Sequence, residues 1–398
     1  RRRGGSLPDL LDDAIVQHVL PRFDVQLLTS PAGLYATAPL HSQPSNSHIL
    51  KALDGTLTVK AVVRHVYGSP DVLQLQEVER PVMGDDDVLV EILAASVNAS
   101  DWEHLIADPV YVRLVGFGLR KPKHKILGSD IAGRVEAVGK NVTQFRPGDE
   151  VLADTLYHGL GGFAEYVSVP EDGILVKKPA GIPFEEAATL PQAGAIALKG
   201  IRDKGRVRPG QKVLINGAGG GAGTFAVQLA KSLGAEVTAV DRGSKLDMLR
   251  KLGADHVVDF EREDFTRQDR RYDLILDVAA HRSIFDHKRV LARDGMYGMV
   301  GGGMGQLFQA VLLGPLISMA GGKKMGLMAV PISREQLASV IELVEAGKMK
   351  PVIDRRYPLS EVPEALRYLG EGRSLGKLVI TGRTLEQNLE KAVGVTAE

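Results

Sequence analysis

The stretch from Val213 to Asp241 constrains the fold of this chain more than any other part of the sequence. It begins with a short apolar run, Val213 to Ile215, which predicts a strand buried on both faces. Glycines then fill most of the segment from Gly217 to Gly223, and apolar residues follow at helical spacing as far as Leu233. A second apolar run ends in Asp241. The pattern therefore predicts a strand, a glycine turn, a helix and a second strand.

The glycine turn predicts a dinucleotide site. It fits two registers that both start at Gly217, G-x-x-G-x-x-G and G-x-G-x-x-A, and both remain open. In either register the glycines let the backbone approach a pyrophosphate, and free N–H groups at the helix start can bind it. The alternative is a flexible glycine loop between unrelated elements, but the complete strand-turn-helix-strand context favours the dinucleotide. The predicted contacts are Gly217, Gly220, Gly221 and Gly223.

Residues after the second strand give opposing indications about the adenosine ribose. Asp241 favours NAD, because a carboxylate accepts hydrogen bonds from ribose hydroxyls and repels a phosphate. Arg242 and Lys245, with Ser244 between them, instead suit the extra phosphate of NADP. The residues alone leave both cofactors open.

Composition excludes several classes of protein. The 398 residues are too many for one ordinary core, which predicts at least two domains. Basic and acidic residues balance at 49 each, so no overall field favours nucleic acid or an anionic membrane. There is no cysteine, which excludes disulfides and thiolate metal sites. The longest apolar stretch, Leu307 to Ala320, is interrupted by polar residues and is too short to span a bilayer.

The secondary-structure pattern changes along the chain and predicts the domain order. Residues 1–57 form an amino-terminal extension of unknown role, with a possible short helix from Leu7 to Leu20. Residues 58–178 hold short strands separated by turns, which predicts a partly open barrel. From 179 to 349 helices and strands alternate around the glycine turn. Residues 350–382 return to the first domain with a closing strand, Leu378 to Ile380, and 383–398 form a polar tail.

Several ordered motifs resemble the medium-chain dehydrogenase/reductase superfamily, in its zinc-independent quinone oxidoreductase branch. The resemblance covers roughly residues 58–382 and rests on Val97 to Trp102, Leu127 to Gly133, Phe145 to Val151, Gly162 to Val167 and Gly347 to Ile353. It implies a GroES-like β-barrel domain beside a Rossmann domain with a doubly wound parallel sheet, and a cleft between them. It also implies a homodimer, and a substrate-lining or dimer segment between Gly301 and Gly322, for which a buried helix is the alternative.

Zinc-dependent relatives place a cysteine and a histidine-glutamate pair in two of these motifs. A catalytic zinc needs three protein ligands and one open position. This chain has Asn98 at the cysteine position and Ser129 with Asp130 at the other two. Since neither an amide nor a hydroxyl replaces thiolate and imidazole as primary ligands, we predict no metal.

Without a metal, hydrogen-bond donors must polarise the substrate carbonyl. The resemblance puts the loop of Asn98 and Asp101 beside the nicotinamide. Asn98 can donate a hydrogen bond, and Asp101 can orient neighbours or relay a proton. The alternative is structural: Asp101 caps a helix starting at Trp102, and Asn98 satisfies backbone groups. Tyr157 is a further candidate proton donor, although its glycine-containing loop could simply expose it.

The resemblance, together with the missing zinc ligands, implies an oxidoreductase that passes hydride from NAD(P)H to a quinone or an α,β-unsaturated carbonyl. A lysine at the Lys245 position is common in quinone oxidoreductases, so the resemblance favours NADP(H) over NAD(H). An alcohol dehydrogenase of the same superfamily is one alternative, and a non-catalytic dinucleotide-binding protein is another, because fold does not prove function. The predicted partner is a small carbonyl or quinone substrate, with no nucleic acid and no membrane span, in the cytoplasm.

Overall fold

The structure, a computed structural model, describes residues 27–30, 33–36, 58–108, 112–113, 118–319, 321–328 and 332–382. The chain divides into two compact units, Arg1–Leu57 and Thr58–Glu398. In the first unit, strands β1 (Leu27–Ser30) and β2 (Gly33–Ala36) pair antiparallel. The predicted helix from Leu7 to Leu20 and the predicted tail from 383 to 398 lie outside the described residues.

The first sheet system of the larger unit is the predicted barrel. Strands β3 (Thr58–Val63) and β4 (Gln74–Glu79) form an antiparallel pair. A seven-stranded sheet has the order β16-β17-β5-β6-β7-β9, with β8 also paired to β5. Its strands are β5 (Asp87–Val97), β6 (Asp130–Val138), β7 (Glu150–Asp154), β8 (Tyr166–Pro170), β9 (Ile174–Lys177), β16 (Ile353–Pro358) and β17 (Lys377–Thr381). Apolar side chains of these strands share one core inside the partly open barrel.

The second sheet system carries the glycine turn. Six parallel strands have the order β12-β11-β10-β13-β14-β15. They are β10 (Lys212–Asn216), β11 (Glu236–Asp241), β12 (His256–Asp259), β13 (Tyr272–Asp277), β14 (Leu291–Met299) and β15 (Lys324–Leu327). Val213, Leu214 and Ile215 have no exposed surface, as expected for a central strand covered by helices on both faces. The predicted α/β fold with a GroES-like and a Rossmann part is confirmed.

Helices cover the parallel sheet and connect the two sheet systems. The α-helices are α1 (Ala99–Ile106), α2 (Phe184–Ala187), α3 (Pro191–Leu198), α4 (Gly221–Ser232), α5 (Leu246–Lys251), α6 (Ile284–Val290), α7 (Met304–Phe308), α8 (Gly314–Met319), α9 (Arg334–Glu345) and α10 (Val362–Gly370). Wider turns, with i→i+5 hydrogen bonds, extend α3 over Lys199–Lys204 and join α7 to α8 over Gln309–Leu313. Short 3₁₀ turns occupy Pro70–Val72, Gly243–Lys245, Phe265–Arg267 and Leu359–Glu361.

The carboxyl-terminal strand joins the barrel to the glycine turn. β17 pairs antiparallel with β5, with Leu378 opposite Val97. Just before β17, the Gly376 N–H donates to the Gly219 carbonyl at 2.9 Å. The strand that closes the barrel therefore begins in contact with the loop that starts α4.

Two of the structural alternatives raised by the sequence differ in detail from the structure. Helix α1 begins at Ala99 rather than at Trp102, because Asn98 is already in an extended conformation suited to an N-cap. Between Gly301 and Gly322 the structure has α7, the wider turn and α8 instead of one buried helix, and several of their apolar side chains are exposed.

Candidate active site

A cavity of about 970 Å³ lies between the barrel and the parallel sheet. Barrel residues, the glycine loop and the carboxyl ends of the parallel strands all contribute to its wall. Among the lining residues are Asn98, Ser100, Tyr157, Gln192, Gly220, Gly221, Asp241, Arg242, Lys245 and Lys377. Ligands bind at this edge of open α/β sheets, so the position suits a dinucleotide.

The glycines of the loop differ in how closely a Cβ at each position would approach the neighbouring atoms. Gly217 has φ +74°, and a Cβ there would lie 2.9 Å from Ala279 Cβ. A Cβ on Gly223 would lie 2.2 Å from the Gly217 carbonyl oxygen, and one on Gly221 would meet Lys377 Cδ at 2.7 Å. Gly220 differs, because its nearest neighbour would be the Gly217 carbonyl oxygen at 3.5 Å, an ordinary contact. The protein's own packing thus requires three of these glycines, while Gly220 leaves room at the cavity wall.

Asp241 holds the glycine loop in place. Its Oδ2 accepts from the Gly219 N–H at 2.7 Å, and its Oδ1 accepts from the Arg242 N–H at 2.8 Å. Lys245 Nζ lies 3.5 Å from Asp241 Oδ1, and both side chains are buried. The Arg242 guanidinium donates to the Glu371 carbonyl and stays partly exposed at the cavity. The three residues predicted to lie near the adenosine ribose, Asp241, Arg242 and Lys245, therefore lie next to one another on the cavity wall. The charges of Asp241 and Lys245 form an ion pair.

Asn98 follows the last residue of β5, and its side chain contacts residues of β17 and of the loop before β6. Its Nδ2 donates to Ser129 Oγ at 3.2 Å, and its Oδ1 accepts from Lys377 Nζ at 2.5 Å. Gln192 Nε2 also donates to Ser129 Oγ, and Ser100 Oγ donates to Gln192 Oε1. The structure thus joins Asn98 to a buried polar network along one wall of the cavity.

Asp101 is at the third position of α1 and is buried behind Asn98. Its Oδ2 accepts from the Asn98 N–H at 2.8 Å, and its Oδ1 accepts from the Gly128 N–H at 3.1 Å. It does not line the cavity. Burial raises the pKa of the Asp101 carboxyl to about 7, and the hydrogen bond from the Asn98 N–H opposes that shift. These contacts match the structural alternative, in which Asp101 caps α1 and fixes the two loops that meet there.

Tyr157 lines the cavity from the loop after β7. Its side chain is 53% exposed. Partial burial, reinforced by Asp154, raises the pKa of the Tyr157 hydroxyl above its usual value. The hydroxyl therefore stays protonated at neutral pH, as a proton donor requires.

Lys377 is the residue of the site that sequence reasoning missed. Its side chain is almost fully buried, and Nζ lies 3.1 Å from the Val97 carbonyl and 3.8 Å from Asp130 Oδ2. Burial lowers the pKa of the Lys377 ammonium, and the charges of Asp130, Asp101 and Asp154 oppose that shift. Burial also raises the pKa of Asp130 and Asp154. A lysine at the start of a strand is usually exposed to solvent, so nothing in the sequence indicates that Lys377 is buried. The only local signal was Gly376, which predicted the start of the closing strand.

The three positions that resemble zinc-ligand positions hold hydrogen bonds to one another and to Lys377. Asn98, Ser129 and Asp130 offer an amide, a hydroxyl and a carboxyl, of which Asp130 also accepts from the Gln192 N–H. Within the described ranges, no group of three or more His, Cys, Asp or Glu side chains is placed to hold a metal ion. The donor set does not fit a zinc site.

Two family models match the larger unit. One, described as the alcohol dehydrogenase GroES-like domain, matches residues 84–180, and one described as zinc-binding dehydrogenase matches residues 252–380. Among helices of the described chain, none is long and apolar enough to cross a membrane. The matches lie on the barrel and on the parallel sheet with its return strand.

Curated relatives and solved structures agree on the branch of the family. The chain is 32% identical over 326 residues to 2-methylene-furan-3-one reductase of Solanum lycopersicum, covering 79% of this chain and 76% of that protein. It is 31% identical over 379 residues to the human mitochondrial NAD(P)H oxidoreductase RTN4IP1, covering 85% and 93%. It is 30% identical over 315 residues to the chloroplastic quinone-oxidoreductase QR1 of Triphysaria versicolor, covering 76% and 92%.

The quinone oxidoreductase structure from Coxiella burnetii superposes with a TM-score of 0.73 at 26% identity, covering 82% of this chain and all of that one. The predicted family and the predicted class, an NAD(P)H oxidoreductase of the quinone or enone reductase type, are confirmed. A strand, glycine loop and helix in sequence, a GroES-like barrel, and relatives of this identity and coverage lead to one assignment. The chain belongs to the medium-chain dehydrogenase/reductase superfamily, in its quinone oxidoreductase-like branch.

Proposed function

We propose that this protein reduces quinones or α,β-unsaturated carbonyls with NADPH, and that Asn98 is the hydrogen-bond donor to the substrate oxygen. The observation that carries the proposal is the position of the Asn98 amide on the wall of the cavity that also contains the glycine loop. Ser129 accepts one N–H of that amide and the Asp130 carboxylate interacts with the amide as well, so a bound carbonyl would compete with Asp130 for the second N–H.

NADPH, held by the glycine loop and by Arg242, would supply a hydride, with its electron pair, to the β-carbon of an enone. The π electrons of the double bond then move onto the carbonyl oxygen, and a proton from water completes the saturated ketone. Asn98 would donate to that oxygen while it gains negative charge. A preorganised neutral donor of this kind contributes most where charge develops in the transition state. A simple ketone would acquire a full alkoxide, for which zinc-dependent relatives use Lewis acidity.

The choice of NADPH is supported by the contacts after β11. Asp241 uses its oxygens on the Gly219 and Arg242 N–H groups, and Lys245 balances its charge. A neutralised carboxylate repels a ribose phosphate less than a free one. Arg242 is then the cation on the cavity wall that can bind the phosphate, while Lys245 acts through Asp241.

Activity measurements with Asn98→Ala test the proposal. We expect NADPH oxidation with a panel of enones and quinones, and a turnover about a hundredfold lower in Asn98→Ala, the usual effect of losing one oxyanion donor. The NADPH dissociation constant should stay unchanged. Asn141→Ala is the matched control, because Asn141 bonds Asp86 on an exposed surface.

Other outcomes would favour the alternatives. Ready oxidation of simple alcohols, with every enone and quinone untouched, would indicate an alcohol dehydrogenase. NADPH binding without turnover on any substrate would indicate a non-catalytic dinucleotide-binding protein.

The compartment and the assembly state are part of the same proposal. We keep the cytoplasm as the compartment, with an organelle as the alternative because two relatives carry the words mitochondrial and chloroplastic in their names. Imaging of the tagged full chain distinguishes them.

The homodimer is supported by apolar side chains exposed on the segment from α7 to α8, namely Phe308, Val311, Leu312, Leu316 and Met319.

A further inference from the structure

A buried polar cluster lies at the carboxyl ends of β10 and β13, where the glycine loop begins. Asn216 ends β10 and is paired with Asp277, which ends β13. The Asp277 carboxyl has no exposed surface. Its Oδ2 accepts from the Tyr297 hydroxyl on β14 at 3.0 Å and lies 3.1 Å from His287 Nε2 on α6. Because these groups hold the carboxyl in place, its other oxygen is a fixed acceptor for the side chain of Asn216.

The Asn216 amide nitrogen donates to two oxygens at the end of β13. Nδ2 donates to Asp277 Oδ1 at 2.7 Å and to the Ala279 carbonyl at 3.1 Å. A backbone carbonyl can only accept, so the amide atom beside it must be the nitrogen. Both N–H groups of that nitrogen are then in use. The opposite end of the amide is an oxygen, which can accept hydrogen bonds and cannot donate.

Asn216 Oδ1 is an acceptor that no described residue supplies with a donor. Asn216 is only 2% exposed, yet this oxygen is not one of the fully enclosed side-chain atoms without a partner, so it keeps some exposed surface. Asn216 lines the cavity between the barrel and the parallel sheet, whereas Asp277 does not. The nitrogen therefore faces the buried cluster and the oxygen faces the cavity. A ligand donor would satisfy this acceptor.

The order of the strands indicates which part of a dinucleotide would lie at Asn216. In the sheet, β10 lies between β11 and β13. Asp241 and Arg242, which the proposed function assigns to the adenosine ribose, are at the end of β11. The Asn216 amide is on the β13 side, where Ala279 and Met299 continue the cavity wall. A dinucleotide that crosses these strand ends with its pyrophosphate on the glycine loop has its nicotinamide half on that side.

We propose that Asn216 Oδ1 accepts a hydrogen bond from the nicotinamide half of NADPH, a contact that rests on the proposed function for its cofactor. The donors of that half are the ribose hydroxyls and the carboxamide N–H. An amide oxygen accepts from either of them, and it carries no net charge that would repel the pyrophosphate.

Dissociation constants of Asn216→Ala test this contact. NADPH and NADH share the nicotinamide half, so both should bind about tenfold more weakly, because a cofactor donor would lose its acceptor. Adenosine 2′,5′-bisphosphate lacks that half and should bind with unchanged affinity. Thr238→Val is the matched control, because Thr238 is also 2% exposed and lies on the neighbouring strand β11 but does not line the cavity. Calorimetry measures all three ligands.

A second variant addresses the risk that Asn216→Ala disturbs the loop, since it also removes the donor to Asp277. Asn216→Thr keeps a hydroxyl that can donate to Asp277 and replaces the amide oxygen with a methyl group. It should show the same loss for NADPH and NADH. Unchanged affinity for both cofactors in the folded variants would overturn the inference. An equal loss for adenosine 2′,5′-bisphosphate would overturn it as well.

The reduced 3-acetylpyridine analogue of NADPH, which has no carboxamide N–H, distinguishes the two donors. If Asn216→Ala weakens binding of this analogue as much as binding of NADPH, the donor is a ribose hydroxyl. If the analogue binds the wild type weakly and the substitution changes nothing, the donor is the carboxamide N–H. A protein that shows either result but is inactive on all enones and quinones would contradict the proposed function alone. A wild type that binds neither NADPH nor NADH would contradict both.

Discussion

Gly220 is a glycine that the protein's own packing does not require, which indicates that a ligand approaches it. Its backbone is extended, with φ −85° and ψ −179°, which any residue adopts, and it meets no close neighbour. Gly217 and Gly223, in contrast, are required by positive φ and by backbone contacts. A side chain at Gly220 therefore has room in the cofactor-free protein and obstructs only what approaches the loop.

Gly220→Val should abolish NADPH binding and leave the melting temperature close to that of the wild type. Titration of NADPH fluorescence measures the first, and thermal unfolding measures the second. Gly181→Val is the control, because a Cβ at Gly181 has nothing within 4 Å and this residue does not line the cavity. Unchanged NADPH affinity in folded Gly220→Val would disprove the assignment of the loop.

Arg242 carries the prediction about cofactor choice. Its guanidinium is on the cavity wall and donates to the Glu371 carbonyl, so removing it should cost NADPH binding a phosphate contact and leave NADH binding almost unaffected. We expect Arg242→Ala to reduce the ratio of NADPH to NADH affinity about tenfold, as for one lost charge-assisted hydrogen bond worth roughly 1.5 kcal/mol. Lys245→Ala should also reduce the ratio of NADPH to NADH affinity, because Asp241 would lose its ion-pair partner and its negative charge would repel the ribose phosphate. Equal loss of both cofactors in Arg242→Ala would contradict this role.

At the scale of elements, α1 begins with a buried carboxyl that most helices place in water. Asp101 at its third position accepts the Asn98 N–H and the Gly128 N–H, and so joins the helix start to the loop before β6. Helix α6 uses the same arrangement at its own third position, where Asp286 accepts from Ser283. Asp286 is partly exposed and its pKa is lowered, chiefly by hydrogen bonds from Ser283 and despite opposing desolvation. Burial gives the two caps opposite responses to pH.

This difference predicts a pH-dependent stability of α1. The Asp101 carboxyl has an ordinary pKa of 3.8 when unfolded and about 7 when folded. Between these values the folded protein holds an extra proton, so the free energy of unfolding falls as the pH rises towards and through about 7. Asp101→Asn does not titrate and avoids this loss. The melting temperature of Asp101→Asn minus that of the wild type should therefore be larger at pH 8 than at pH 5.

Asp286→Asn is the matched control. The folded pKa of Asp286 lies below the unfolded one, so its stabilisation is already complete at pH 5 and the corresponding difference should be the same at both pH values. The prediction fails for Asp101 if its difference is also constant, because the carboxyl would then stay ionised throughout that range.

At the scale of the whole molecule, the segment from α7 to α8 exposes apolar surface beside the edge strand β15. Leu316 is 61% exposed and Met319 is 83% exposed. Exposed apolar patches of this kind are typical of protein interfaces. Because β15 pairs on one side with β14 and is the last strand of its sheet, a second copy is the partner that the proposed homodimer supplies.

Leu312→Glu with Leu316→Glu should convert the dimer into monomers that keep their fold, since both side chains point outward. Light scattering after gel filtration measures this as a fall from about twice the chain mass of 42.8 kDa to that mass. Val82→Glu is the control, because Val82 is 91% exposed on the barrel. A wild-type protein that is monomeric would contradict the homodimer.

The sequence by itself determined the features that depend on neighbouring residues. The apolar run, glycines and helical spacing from Val213 to Asp241 lie within one local unit, so their periodicity predicts the unit directly. The short barrel strands and the family motifs are local in the same way, and they led to the correct fold and family. The domain boundaries at residues 178 and 349 stay predictions, as do the catalytic roles of Asn98, Asp101 and Tyr157.

The tertiary structure alone decided which side chains share the buried site. Lys377 and Asn98 are 279 positions apart and meet because β17 pairs with β5. A lysine after a glycine has no local signal of burial. Asp101 likewise differs from an exposed cap because it is buried, and its carboxyl accepts from the N–H of Gly128, a residue 27 positions away. Long-range strand pairing and desolvation, which no periodicity reports, fixed the orientation of the Asn98 amide and the pKa of the carboxyl behind it.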